Sequence, residues 1–262
     1  MREETISSRP RAGPALGWWL VNAFQAVAGL LWSALWISLA LLVSAVTRGP
    51  RIALAMARHI WAPGMLRIGW MRVKVYGRER LDFGEPHFFA ANHLSWIDIP
   101  SLFTALPVPL LFVGKRELAR VPFLGWYMAA TGMVFVDRGR GVGAARSVAG
   151  VAERLRAGWS VLSFPEGTRA RDGRTQPFKS AGFQSAIESG VAVVPVAIEG
   201  ADRVLPPDGF RPRPGVIRVI LGEPIPTAGL ARDARADLAR RTELSVRELL
   251  AGVARAEPRA EG

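Results

Sequence analysis

No cysteine occurs in this sequence. Disulfides, zinc–thiolate sites, iron–sulfur clusters and thiol nucleophiles are thereby excluded. Histidine is scarce too. His59, His87 and His93 are the three present, so a histidine-built metal site has few ligands available. Charge is missing from one long stretch: between Ala12 and Thr47 there is no Asp, Glu, Lys or Arg, and no proline after Pro14. Acidic residues stay absent until Glu79, while Arg48, Arg51, Arg58, Arg67, Arg72, Lys74 and Arg78 accumulate.

An apolar stretch with a wholly basic flank is the pattern of membrane insertion with the flank on the cytoplasmic side. The stretch exceeds the roughly 7–15 apolar residues of a signal-peptide core. As one helix it would reach about 50 Å, against a hydrocarbon layer of about 30 Å. It therefore spans with tilt, or breaks near Gly29 and lies partly in one leaflet, unless it is a buried core helix. Arg51 to Trp70 mixes Ile, Leu, Met and Trp with arginine and is interrupted at Pro63–Gly64. That is the composition of an interfacial amphipathic helix.

The chain has 262 residues, half of them hydrophobic and 21% charged, which suits one domain with an appendage. A net charge of +12 asks for an anionic partner. Anionic membrane lipids account for the basic flank. No aromatic–basic nucleic-acid motif is present, so nucleic acid is not expected.

Beyond the basic flank, short apolar runs alternate with helical patterns. Strands are expected at Met71–Tyr76, His87–Ala91, Leu110–Val113, Met133–Val136, Val161–Phe164, Val191–Ile198 and Val216–Leu221. Helices are expected over Ile97–Leu106, Gly143–Ala157 (closed by Gly158), Phe183–Ser189 (closed by Gly190) and Leu230 to about Val253. The fold class is thus α/β, a partly parallel mixed sheet flanked by helices, with an N-terminal membrane-embedded helical segment. Pro195, inside Val194-Pro195-Val196-Ala197-Ile198, suggests a bulge or an edge strand.

Polar clusters follow three of the strands, where α/β sheets build their sites. In Asn92-His93-Leu94-Ser95-Trp96-Ile97-Asp98, Asp98 is close enough to fold back on His93. A carboxylate on one imidazole nitrogen makes the other a general base for a hydroxyl. A helix cap with an incidental histidine reads the same residues otherwise. Phe164-Pro165-Glu166-Gly167-Thr168-Arg169 offers turn amides, a hydroxyl and a guanidinium fork, either an anion site or a polar turn. Arg138, after Met133–Val136, and Lys115, beside Glu117 after Leu110–Val113, face an anionic group or form surface ion pairs. No Gly-x-Ser-x-Gly elbow is present, which argues against a serine hydrolase.

In order and spacing these blocks resemble those of the glycerolipid acyltransferase family that includes 1-acyl-sn-glycerol-3-phosphate acyltransferase. His93 to Asp98 looks like its His-four-residues-Asp block, Gly132 to Arg138 its second, Phe164 to Arg169 its Phe-Pro-Glu-Gly-Thr-Arg block, and Val194 to Ile198 its Val-Pro-Val block. Lys115-Arg116-Glu117-Leu118, followed by Val121-Pro122-Phe123-Leu124-Gly125-Trp126, is similar to the family's sequence between the first two blocks. The likeness covers roughly Met71 to Gly222. It departs at Ser180-Ala181-Gly182, where the family has a basic residue and then Gly-Ala, a change that bears on local packing and acceptor preference.

The resemblance implies that His93 deprotonates an acceptor hydroxyl while Asp98 orients it, without metal or cofactor and without an acyl-enzyme. The co-substrate would be an acyl-CoA or acyl carrier protein thioester, and the acceptor a lysophospholipid. Glu166, Gly167, Thr168 and Arg169 would bind the acceptor phosphate, with Lys115 and Arg138 as further candidates. Residues 1–70 would be membrane-anchoring helices, 71–254 the acyltransferase domain and 255–262 a loose tail, at the cell membrane with the domain on its cytoplasmic face. Another lyso-lipid acceptor, such as lyso-ornithine lipid, and a noncatalytic membrane-binding protein of the same fold are the alternatives.

Overall fold

Apolar runs too short for helices pair into a sheet because their backbone groups have no other partners once buried. A computed structural model describes residues 16–136, 142–170 and 173–256. In it the strands are β1 (Met71–Tyr76), β2 (Phe88–Ala91), β3 (Leu110–Lys115), β4 (Val134–Val136), β5 (Ser160–Ser163), β6 (Val193–Glu199) and β7 (Gly215–Leu221). They form a seven-stranded sheet in the order β1-β7-β6-β2-β5-β3-β4. Neighbours are parallel except β6 and β7, which run antiparallel. Every residue of β2 and β5 is buried, as strands covered on both faces require.

Of the edge or bulge expected at Pro195, the edge is corrected, since β6 lies inside the sheet between β7 and β2, and the bulge is found, since the pairing slips by one residue beside it. Pro195 O accepts from Gly222 N at 2.8 Å, just beyond the pairing of Val196 with Leu221. The missing proline N–H lies on the same side, at the bulge before Val193 and Ile225 resume the pairing with two backbone hydrogen bonds (3.0 and 2.7 Å). A single hydrogen bond is forgone there, so the proline is tolerated.

The N-terminal segment is α1 (Leu16–Thr47), α2 (Arg51–Met56), a π-helical turn (Ala57–Trp61) and α3 (Ala62–Ile68). Helix α1 does not break at Gly29. It folds back antiparallel on the second arm: Gln25 Nε2 donates to Ile68 O (3.0 Å), Trp32 Nε1 to Trp61 O (3.0 Å), and Trp61 Nε1 to Ser33 Oγ (3.1 Å). Nor does Pro63–Gly64 interrupt the second arm. Pro63 sits in the first turn of α3, where its lost N–H costs little, and the π turn before it absorbs the mismatch. Gly64 lies under the Trp32 ring, where a Cβ would stand 2.3 Å from ring carbons. Leu20, Phe24, Val27, Leu31, Leu35, Leu42 and Val46 leave an exposed apolar stripe along α1. The helix is long and apolar enough to cross a membrane, and the stripe suits lipid contact, so the chain is membrane-associated.

The other helices are α4 (Asp98–Ala105), α5 (Leu124–Ala130), α6 (Val142–Arg156), α7 (Phe183–Ser189), α8 (Ala201–Val204) and α9 (Arg235–Ala256). Gly158 (φ +82°) and Gly190 (φ +70°) end α6 and α7 in the left-handed conformation that their type allows. Helix α3 packs on α4, and α1 touches α5, which joins the hairpin to the sheet domain.

The Gly64 contact yields a test. Gly64→Val forces Trp32 out of place and is expected to cost about 1–3 kcal/mol, the usual range for overpacking. Gly29→Ala meets only Met65, at 3.5 Å, and is expected to be neutral or stabilising. Thermal unfolding in detergent reads both; equal Tm values would show that the hairpin is not close-packed there.

Candidate active site

The carboxyl ends of the parallel neighbours β2, β5 and β3 open toward one place. Asn92, the first residue beyond β2, clamps that end to β6: its Nδ2 donates to Ile198 O (2.9 Å) and its Oδ1 accepts from Ile198 N (2.7 Å). The chain then turns into α4, whose first residue is Asp98. Ser95 Oγ donates to Leu205 O at 2.6 Å and ties the turn down.

Within this turn His93 Nδ1 lies 2.8 Å from Asp98 Oδ2. The same oxygen accepts from Leu94 N (2.7 Å) and Ser95 N (2.9 Å). An ionised carboxylate can only accept, so the hydrogen sits on Nδ1, leaving Nε2 with a lone pair. Asp98 is fully buried. The imidazole stacks on Phe164 with centroids 4.0 Å apart and planes 16° from parallel, which fixes its tilt. Asp98 thus satisfies two backbone amides and also orients the histidine.

Around the pair the remaining sequence candidates separate. Glu166 is buried, and its Oε1 accepts from His93 N at 3.0 Å. It therefore faces the histidine backbone, and a second anion would be repelled there. Gly167 N donates to Phe164 O at 3.0 Å and closes the turn, with φ +77°. That amide is engaged in the turn rather than directed at a ligand. Thr168 is exposed and Arg169 partly so. The Arg169 guanidinium lies over the Trp96 ring at 4.6 Å and donates from Nη1 to Pro207 O at 3.3 Å. Lys115 is exposed at the end of β3. Arg138 lies outside the described residues.

His93, Lys115, Thr168 and Arg169 share the wall of a cavity of about 390 Å³, within the size range of small-molecule sites. Away from the strand ends its walls are apolar. Trp36, Ile37 and Ala40 come from α1, Met56 and Trp61 from the second arm, and Phe103, Phe112 and Met128 from the sheet domain. Tyr127 lines it too. Burial pushes its phenol well above the usual range, so the group stays neutral near the Ala53 carbonyl at 3.4 Å. Among the described residues no three His, Asp or Glu groups gather as a metal site would need.

Residues 72–199 match the family model described as Acyltransferase. A lyso-ornithine lipid O-acyltransferase of Pseudomonas aeruginosa is 38% identical over 65% of this chain and 70% of its own length. The chain belongs to the acyltransferase family. A 1-acyl-sn-glycerol-3-phosphate acyltransferase of Chlamydomonas reinhardtii is 31% identical over 79% of this chain, and the match spans 65% of that relative's length. The crystal structure of the 1-acyl-sn-glycerophosphate acyltransferase PlsC from Thermotoga maritima shares the fold. Its TM-score is 0.76 at 24% identity, over 90% of this chain and 97% of that one. This chain is accordingly an O-acyltransferase of the glycerolipid type.

In this acyltransferase the sequence pattern drew attention to His93 and Asp98, gave Ser95 only a capping part, and assigned none to Asn92, Trp96 or Phe164. The neighbours of Asn92, Ser95, Trp96 and Phe164 are far off in sequence: Ile198, Leu205, Arg169 and His93 respectively.

Glu166 offers a test that separates positioning from substrate contact. Glu166→Ala removes the acceptor for His93 N and is expected to lower kcat about 10- to 100-fold, as a misplaced catalytic group does, with acceptor KM little changed. Glu166→Gln keeps an oxygen there and is expected to recover most of the loss. A raised acceptor KM at unchanged kcat would instead make Glu166 a substrate ligand.

Proposed function

We propose that the chain transfers a fatty acyl group from an acyl thioester to the free hydroxyl of 1-acyl-sn-glycerol-3-phosphate, giving phosphatidate. The observation that carries this reading is the oriented His93–Asp98 pair on the wall of a cavity whose far end is apolar. His93 Nε2 takes the hydroxyl proton as the oxygen attacks the thioester carbonyl, and Asp98 stabilises the imidazolium that forms. The tetrahedral intermediate collapses, the carbon–sulfur bond breaks, and the thiolate leaves with the proton from His93. Acyl-CoA and acyl carrier protein present the same thioester. No cofactor enters this scheme.

Thr168, Arg169 and Lys115 supply the hydroxyl and positive charge for the acceptor phosphate. Stacking on Trp96 holds the Arg169 plane, and the stacked face leaves its edge for a bidentate contact. The basic flank after α1 supports attachment to anionic lipid with the domain on the cytoplasmic face of the cell membrane.

One observation favours a second acceptor: the lyso-ornithine lipid enzyme is 38% identical. An ornithine headgroup has a carboxylate and no phosphate monoester, so it would depend on Arg169 differently. The same pair and the same cavity would serve either acceptor.

His93→Ala is expected to lose about 10²- to 10⁴-fold in turnover, the usual worth of a general base, while circular dichroism and membrane sedimentation stay unchanged. Near-normal turnover by the folded variant would remove the mechanism. Arg169→Lys cannot form the bidentate fork or the same stack; acceptor KM for lysophosphatidate is expected to rise about tenfold or more. Efficient wild-type acylation of lyso-ornithine lipid, with little on lysophosphatidate, would keep the chemistry and replace the acceptor.

A further inference from the structure

Beside the cavity at His93 lies a second, of about 230 Å³. Trp61, Trp96, Ile99 and Leu124 line both, so these four side chains form the partition. None of the described residues lining the second cavity is charged. Its one amide side chain, Gln25, is already engaged, donating to Ile68 O at 3.0 Å and accepting from Asn22 Nδ2 at 3.0 Å. The remaining wall is apolar, with Met65 and Ile68 from α3 facing Leu205 and Phe210. Phe210 is 44% exposed, which puts it at the rim.

Acyl transfer to a one-tailed lipid brings two hydrocarbon chains to a single imidazole. One is attached to the carbonyl under attack, and the other is already on the acceptor. The cavity that includes His93 suits the first, because that chain begins at the reacting carbon. The acceptor's own chain leaves from a different carbon, and its headgroup is drawn toward Arg169, which lies on one face of Trp96. Trp96 is also the wall of the second cavity. We propose that the second cavity seats the acyl chain already present on the acceptor, with Trp96 keeping the two tails apart. This rests on the acceptor being a one-tailed lysolipid, as proposed above. Seating the tail removes apolar surface from water. It also holds the hydroxyl in register with His93, where binding of a remote group becomes rate.

Ile68 lines the second cavity and not the first, and is partly buried. Ile68→Phe narrows the space. The test measures acceptor KM for hexanoyl and oleoyl lysolipids of one headgroup, phosphate and ornithine in turn, with a series of donor chain lengths. In the variant, KM for the oleoyl acceptor is expected to rise about tenfold relative to the hexanoyl one, with the ranking of donors unchanged. Ala40→Phe, in the first cavity only, is expected to do the reverse and shift the donor ranking. Two results overturn the proposal: an unchanged oleoyl-to-hexanoyl ratio in Ile68→Phe, which leaves the tail in the leaflet, or a shifted donor ranking, which makes the cavities one. Should Ile68→Phe fail to fold, Phe210→Ala at the rim is read by the same ratio and the same criteria. Wild-type protein that acylates neither lysolipid overturns the proposed function and this assignment together; acylation with an unchanged ratio overturns this assignment alone.

Discussion

A single carboxylate oxygen holds the site in shape. Asp98 Oδ2 receives the His93 imidazole and two consecutive backbone amides, all within 2.9 Å. A fully buried carboxylate is costly unless its charge is answered by donors, and these three donors come from the turn it closes. The strand-to-helix turn and the histidine's orientation therefore stand or fall as one unit. Phe164 beneath the ring and Glu166 on its backbone extend that unit to β5. The result is an imidazole held from three directions by parts of the chain about 70 residues apart.

The second organising constraint is apolar. An exposed apolar stripe on α1 suits lipid contact, while other residues of the hairpin supply walls to the cavity at His93. The apolar N-terminal hairpin thus also encloses the cavity at His93. Small residues allow this close approach. Ala53, Ala57 and Ala62 are buried along the second arm, and Gly64 lies against Trp32.

Positive charge is used differently by place. Arg51 lies over Trp159 at 5.2 Å and Arg169 over Trp96 at 4.6 Å, so two guanidiniums sit over aromatic faces. Arg218, in contrast, pairs with Glu199 at 2.8 Å across the antiparallel β6–β7 pair. A cation over an indole face keeps its edge donors for other groups, and one of those on Arg169 reaches Pro207 O at 3.3 Å.

Much was legible in the residues themselves. β-Branched and aromatic runs gave β1 its bounds and the other strands theirs to within a few residues, and Gly158 and Gly190 marked helix ends by their tolerance of positive φ. The spacing of His93 and Asp98 carried the candidate pair because the contact is local, spanning a single turn. What local rules could not supply was anything resting on distant partners. The antiparallel β6–β7 pair made Pro195 an interior residue, and the fold-back of α1 carried the second arm through Pro63 without a break. That Glu166 Oε1 would meet the His93 backbone, 73 residues away, was beyond local rules. The cavity walls join residues from Trp36 to Arg169. Propensity and spacing act over a few residues, so they determined the elements and the pair. Burial and hydrogen-bond satisfaction act across the whole packed chain, so only the tertiary structure decided what those elements enclose.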